Sequence, residues 1–133
     1  MLYKRRQTLM ESLLNALEAD GVDVYTTIRR FMGNHEIYLK FLYRFPHERP
    51  YFELKEKIER EEYDENFRAV THSLKGLTYN LGMNKIGDLS AEISKLVREE
   101  NFSEIPVLFA ELTKNYDSIC DSIHRFSFEE EGK

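Results

Sequence analysis

Apolar residues recur at spacings of three and four along almost the whole chain, and this periodicity is what most constrains the fold. No stretch shows the sustained alternation of apolar and polar residues that predicts a β-strand. Spacings of three and four place apolar side chains on one face of an α-helix, where neighbouring helices can bury them. The sequence therefore predicts an all-α protein.

Breaks between the apolar stripes predict where the helices end. Glycine preceded or followed by a polar residue is a common helix stop, and proline removes a backbone donor and clashes with the preceding turn. A charged stretch without periodicity marks a further turn. The breaks, in chain order, are Asp20-Gly21, Gly33-Asn34, the segment from Pro46 to Pro50, and Tyr63-Asp64.

Short links between long helices favour antiparallel neighbours, so we expect an up-and-down antiparallel four-helix bundle with additional short N-terminal helices. Residues 1–20 are predicted to form an N-terminal helical extension, 21–126 the main domain, and 127–133 a disordered tail. Asn84 and Ser103 are the predicted N-caps of the last two helices. The extension either covers the bundle or pairs with another chain; a monomer is the expected state.

Composition and residue counts exclude several classes of function. The chain has 19 basic and 24 acidic residues, a net charge of -5. It therefore lacks the overall positive electrostatic field that would hold nucleic acid or an anionic membrane. A single cysteine, Cys120, excludes an internal disulfide and a cysteine-based zinc site. His35, His47 and His124 show no metal-ligand spacing, so no metal site is expected. Without a signal peptide or an apolar run of membrane-spanning length, the expected location is the cytoplasm.

The segment "THSLKGLTYNLG", from Thr71 to Gly82, carries the candidate functional residues. On a helical wheel His72 lies opposite the centre of the apolar arc, and Arg68 and Lys75 lie within one turn of it. An outward-facing histidine is therefore flanked by two cations. The apolar arc that should face the core consists of Phe67, Val70, Leu74, Leu77 and Leu81.

Gly76 lies on the same outward side, where tight packing inside a bundle cannot explain it. A glycine in the middle of a helix costs about 1 kcal/mol relative to alanine. Its physical effect is to remove bulk beside the imidazole of His72, so that another protein can approach closely or a bulky group can sit on the ring. A neutral imidazole is a nucleophile, and Lys75 and Arg68 would stabilise a phosphoryl group by charge-assisted hydrogen bonds.

The motif His72-Ser73-Leu74-Lys75-Gly76, followed by Leu81-Gly82, resembles the signature H-x-[LI]-K-G-x(4)-[LIV]-G of histidine-containing phosphotransfer (HPt) domains. These domains carry phosphoryl groups in two-component phosphorelays. The resemblance extends over residues 21–126, whose expected helix order and spacing are similar to those of such a domain.

The resemblance implies a role for each matched position. His72 would accept a phosphoryl group from the aspartyl phosphate of a response-regulator receiver domain and pass it to another receiver. Lys75 would stabilise the phosphoryl group, Gly76 would give the receiver room to dock, and Gly82 would end the helix. The helical wheel puts Arg68 and Tyr79 on the same outer face, so they are expected to belong to the docking surface too. The receiver supplies the acidic pocket and Mg²⁺, so the resemblance implies a phosphocarrier without a cofactor of its own, not an enzyme. A hybrid sensor histidine kinase is a further expected partner.

Two positions depart from the family pattern, which commonly has small residues where this chain has Leu77 and Tyr79. Leu77 falls on the inner arc and is expected to fill space in the core. Tyr79 either adds aromatic contact area with a receiver or narrows the set of receivers that fit.

Two alternative functions stay open. One is an adaptor that binds a receiver or kinase domain without transferring phosphate, although such an adaptor would have no need of His72. The other is an HPt module at the start of a chemotaxis-type kinase. No kinase sequence follows residue 133, so a stand-alone carrier is the preferred expectation.

Overall fold

The computed structural model describes residues 2–127, and its regular secondary structure is entirely helical. The described residues contain no strand, which confirms the predicted all-α class, and the helices pack as a helical bundle. Of the predicted tail 127–133, all but Ser127 lies outside the described residues. The helices are α1 (Leu2–Ala19), α2 (Val24–Arg30), α3 (His35–Arg44), α4 (Arg49–Glu59), α5 (Glu65–Asn80), α6 (Asn84–Arg98) and α7 (Ile105–Arg125), with 3-10 turns at Phe45–His47 and Phe102–Glu104.

The second half of α1 belongs to the same core as the later helices. Leu13 and Leu17 are fully buried there. Just past the end of α1, the backbone carbonyl of Asp20 accepts a hydrogen bond from Asn115 Nδ2 at 2.9 Å, and its carboxylate accepts one from Ser118 Oγ at 2.6 Å. Both donors lie on α7, so α1 covers one side of the bundle within its own chain.

The predicted breaks coincide with the ends of the helices, whereas the two predicted caps are wrong. Asn84 is the first residue of α6 and not its cap. The chain turns at Gly82, with φ +79°, so Met83 occupies the N-cap position, and it makes no side-chain hydrogen bond there. Ser103 lies inside a 3-10 turn that precedes α7, and its hydroxyl donates to Asn101 Oδ1 at 3.4 Å. The N-cap positions of α6 and α7 are taken by Met83 and Glu104, neither of which makes a side-chain cap.

The N-terminus of α5 is fixed by a capping aspartate. The carboxylate of Asp64 accepts hydrogen bonds from the backbone N–H of Phe67 and from Lys57 Nζ, each at 3.0 Å. The hydrogen bond from Lys57 is the main reason that the pKa of the Asp64 carboxyl lies below its ordinary value. This contact also joins the end of α4 to the start of α5.

The C-terminus of α5 is held by α2. Gly82 has φ +79°, and a Cβ at this position would come within 2.5 Å of the Asp23 carbonyl oxygen, so only glycine fits the turn. The N–H of Asp23 donates to the Gly82 carbonyl at 2.8 Å, and Arg30 Nη2 donates to the Tyr79 carbonyl at 2.9 Å. A cation bonded to the last carbonyls is a favourable helix end. Both ends of the helix that carries His72 are therefore anchored.

Candidate functional site

Helix α5 presents His72 to solvent while its inner face is buried. Phe67 and Leu74 are fully buried and Val70 nearly so, as the helical wheel predicts. Leu77 is the exception on the predicted inner arc, because it is only half-buried at the edge of the core. His72 itself is exposed.

Two threonines complete the inner face of α5, and the wheel did not predict them there. Thr71 donates its hydroxyl to the Arg68 carbonyl at 2.9 Å, and Thr78 donates to the Leu74 carbonyl at 2.7 Å. A hydroxyl bonded to the preceding turn can be buried without an unsatisfied donor. Both side chains are buried for this reason.

An open groove of about 460 Å³ runs along the seam between α5 and α6, beside His72. The two helices are joined by only three residues and therefore run antiparallel, which brings the end of α6 to the start of α5. The α6 side of the groove is low because it is built from small residues. The groove is lined from α5 by Glu65, Arg68, Ala69, Thr71, His72 and Lys75, and from α6 by Ser90, Ala91, Ser94 and Arg98.

Three cations and one carboxylate line this groove. Arg68 and Lys75 come from α5 and Arg98 from α6, whereas Glu65 is the single acidic residue of the lining. Within residues 2–127, none of the three cations forms an ion pair. Three such positive charges around a histidine favour an anionic ligand.

Sequence reasoning found Arg68 and Lys75 but missed the contribution of α6. Ser90, Ser94 and Arg98 are four residues apart, so they share one face of α6. That spacing, combined with the antiparallel turn at Gly82, is the signal that places Arg98 beside the start of α5. Reading α5 alone could not reveal it.

The space beside Gly76 is open. A Cβ at this position would meet no atom within 4 Å outside the neighbouring backbone of its own helix. Packing therefore does not require glycine here, and the backbone at this position is ordinary helix. The missing side chain leaves open space on the surface of α5 one turn beyond His72.

Tyr79 lies against α6 and does not project freely from α5. Its hydroxyl donates a hydrogen bond to Asp88 Oδ1 at 2.5 Å, and its ring covers Gly87. The hydrogen bond to the Asp88 carboxylate, more than burial, raises the pKa of Tyr79 to about 12. Tyr79 thus has a role in the contact between α5 and α6, and its part in receiver docking stays a prediction.

The remaining sequence candidates lie away from the groove. Burial raises the pKa of the Cys120 thiol to about 11, which makes it a poor nucleophile. The rings of His47 and His124 lie 6.5 Å apart on the surface, and His35 Nδ1 lies 3.0 Å from the Gly33 carbonyl oxygen. Across residues 2–127 no three histidine, cysteine or acidic side chains are arranged to hold a metal ion.

None of the helices between Leu2 and Arg125 has the length and apolar character needed to cross a membrane.

The chain matches no family model, no curated protein and no solved structure.

Proposed function

We propose that this protein is a histidine phosphocarrier of the HPt type. In this proposal His72 accepts a phosphoryl group from the aspartyl phosphate of one receiver domain and passes it to another. The four helices α4 to α7 form the up-and-down bundle that carries His72. The observation that carries the proposal is the exposed His72 beside a groove whose three cations form no ion pair within the described residues.

The groove provides what phosphoryl transfer requires from an acceptor protein. The imidazole nitrogen attacks phosphorus in line with the leaving aspartate oxygen, so an N–P bond forms as the P–O bond breaks. Negative charge is spread over the three phosphoryl oxygens throughout. Lys75 and Arg98 stand on the two walls of the groove, where they would donate charge-assisted hydrogen bonds to those oxygens. The receiver supplies the acidic pocket and the Mg²⁺ ion.

The open space at Gly76 supports the same proposal. Glycine at this position lowers the stability of the helix by about 1 kcal/mol relative to alanine, although an alanine Cβ would clash with no other residue. Such a cost is explained if a partner's backbone must come close to His72. Receiver domains and a hybrid sensor histidine kinase are the proposed partners, and they place the carrier in the cytoplasm.

The experiment that tests this function is a two-step transfer. A receiver domain labelled on its aspartate is mixed with the protein, the donor is removed, and a second, unlabelled receiver is added. A carrier first gains the label and then loses it to the second receiver. A protein that binds both receivers but never carries the label would instead be the non-transferring adaptor.

A further inference from the structure

Arg68 and Arg98 face each other across the groove between α5 and α6, one turn from His72. Their register follows from a contact further along the same two helices, where the ring of Tyr79 covers Gly87. Arg68 lies eleven residues before Tyr79, and Arg98 lies eleven residues after Gly87. Eleven residues make about three helical turns. On antiparallel helices each arginine therefore stands on the contact face of its own helix and at the same level as the other.

No carboxylate neutralises this pair of arginines within the described part of the chain. Arg68 and Arg98 both line the groove, and neither forms an ion pair with any of residues 2–127. Glu65 is the single acidic residue of the lining, and it does not form an ion pair with either arginine. Two facing guanidinium groups repel each other, and an anion bound between them removes that repulsion.

The shape of the groove between the arginines suits a small oxyanion. A guanidinium donates two parallel hydrogen bonds to the oxygens of a phosphate group, so one arginine from each wall can hold the same ion. The nearby lining residues Ala69, Ala91 and Ser94 are small, and the groove has a volume of about 460 Å³. A phosphate ion therefore fits between the two arginines without movement of the helices.

We infer that Arg68 and Arg98 bind free inorganic phosphate when His72 is unphosphorylated. A consequence for regulation rests on the proposed function, in which Arg98 also binds the phosphoryl group on His72. Arg68 is four residues from His72, a rise of about 6 Å along α5. Free phosphate and the phosphoryl group would thus compete for Arg98 and repel each other at short range. Bound phosphate therefore shifts the transfer equilibrium toward the phosphorylated receiver.

The binding site is tested with sodium phosphate as the probe and without any receiver. The chemical shifts of backbone amides are followed in an NMR titration at constant ionic strength, in which phosphate replaces sodium chloride. Because the charge-assisted hydrogen bonds form in an open groove, we expect weak binding, with a dissociation constant of about 1 mM. His72→Gln should bind phosphate within about twofold of the wild type, so this result does not depend on phosphoryl transfer.

Arg68→Met and Arg98→Met should each weaken phosphate binding by about tenfold. Lys95→Met is the control for loss of one charge, since Lys95 is an exposed cation of α6 outside the groove, and it should leave the dissociation constant within about twofold. Thermal melting checks that each variant is folded. Equal weakening in all three variants would overturn the site, because net charge would then explain the binding. No saturable shift in the wild type, or binding that survives both arginine substitutions, would overturn it as well.

The competition is tested by letting a labelled receiver and the carrier reach equilibrium with and without phosphate. At a phosphate concentration about nine times the dissociation constant, the ratio of phosphorylated carrier to phosphorylated receiver should fall about tenfold. With the Arg68→Met carrier the same phosphate should lower the ratio by about twofold or less, which controls for phosphate acting on the receiver. An unchanged ratio for a wild-type carrier that binds phosphate would overturn the competition.

Discussion

The ring of Tyr79 occupies the space that a side chain at position 87 would need. A Cβ built on Gly87 would lie 2.6 Å from Tyr79 Cδ1, and the tyrosine hydroxyl donates to the carboxylate of the next residue, Asp88. Gly87 and Asp88 together form the contact site on α6 for the Tyr79 side chain of α5. This contact sets how closely the two helices approach at the end of the groove beside His72.

Gly87→Ala should destabilise the protein, because the added methyl group displaces the Tyr79 ring. Overpacking of this kind costs about 1–3 kcal/mol, of which the better helix propensity of alanine returns about 1 kcal/mol. We expect a net loss of about 1 kcal/mol in the free energy of unfolding, measured by urea denaturation. In a Tyr79→Ala background the same substitution should no longer destabilise. If Gly87→Ala is equally costly in both backgrounds, Tyr79 is not what fills the space.

Gly76→Ala should have the opposite effect on stability. A Cβ there meets open space, so the substitution should raise the free energy of unfolding by about 1 kcal/mol. Gly76→Gln should stay folded yet slow phosphoryl transfer from a receiver, since a long side chain then stands beside His72. Stability is measured by denaturation and transfer by label uptake. A Gly76→Gln protein that transfers at the wild-type rate would show that the open space is not used for access.

The local features of α5 were predictable from the sequence, whereas contacts between helices were not. Helical periodicity alone places His72 outward and Leu74 inward, because both follow from the geometry of one element. The contact of Tyr79 with Gly87 and Asp88 depends on how α6 packs against α5, and so does the position of Arg98. No pattern within a single helix specifies that packing. The predicted cap at Asn84 failed for a related reason, since the turn at Gly82 puts Met83, whose side chain cannot cap, in the N-cap position and Asn84 inside α6.

Removal of the charge at Arg98 should shift the equilibrium of phosphoryl transfer back toward the receiver. Arg98 lines the groove without an ion pair to residues 2–127, and one charge-assisted hydrogen bond in a solvent-exposed groove contributes about 1 kcal/mol. In Arg98→Met we expect the equilibrium ratio of phosphorylated carrier to phosphorylated receiver to fall about fivefold. The label on each protein is measured after equilibration.

Lys95→Met is the matched control for Arg98→Met. Lys95 is an exposed cation of the same helix that does not line the groove. The substitution Lys95→Met removes the same formal charge from the protein, but from outside the groove. An equal shift in the two variants would mean that net charge, and not a contact in the groove, controls the equilibrium.

The measurement that tests the central claim most directly is the labelling of His72→Gln. Wild-type protein mixed with a phosphorylated receiver should gain a phosphoryl group that is labile in acid and stable in base, as expected for phosphohistidine. His72→Gln should gain none, while His124→Gln, which changes another exposed histidine, should be labelled like the wild type. Labelling that survives His72→Gln would contradict the account.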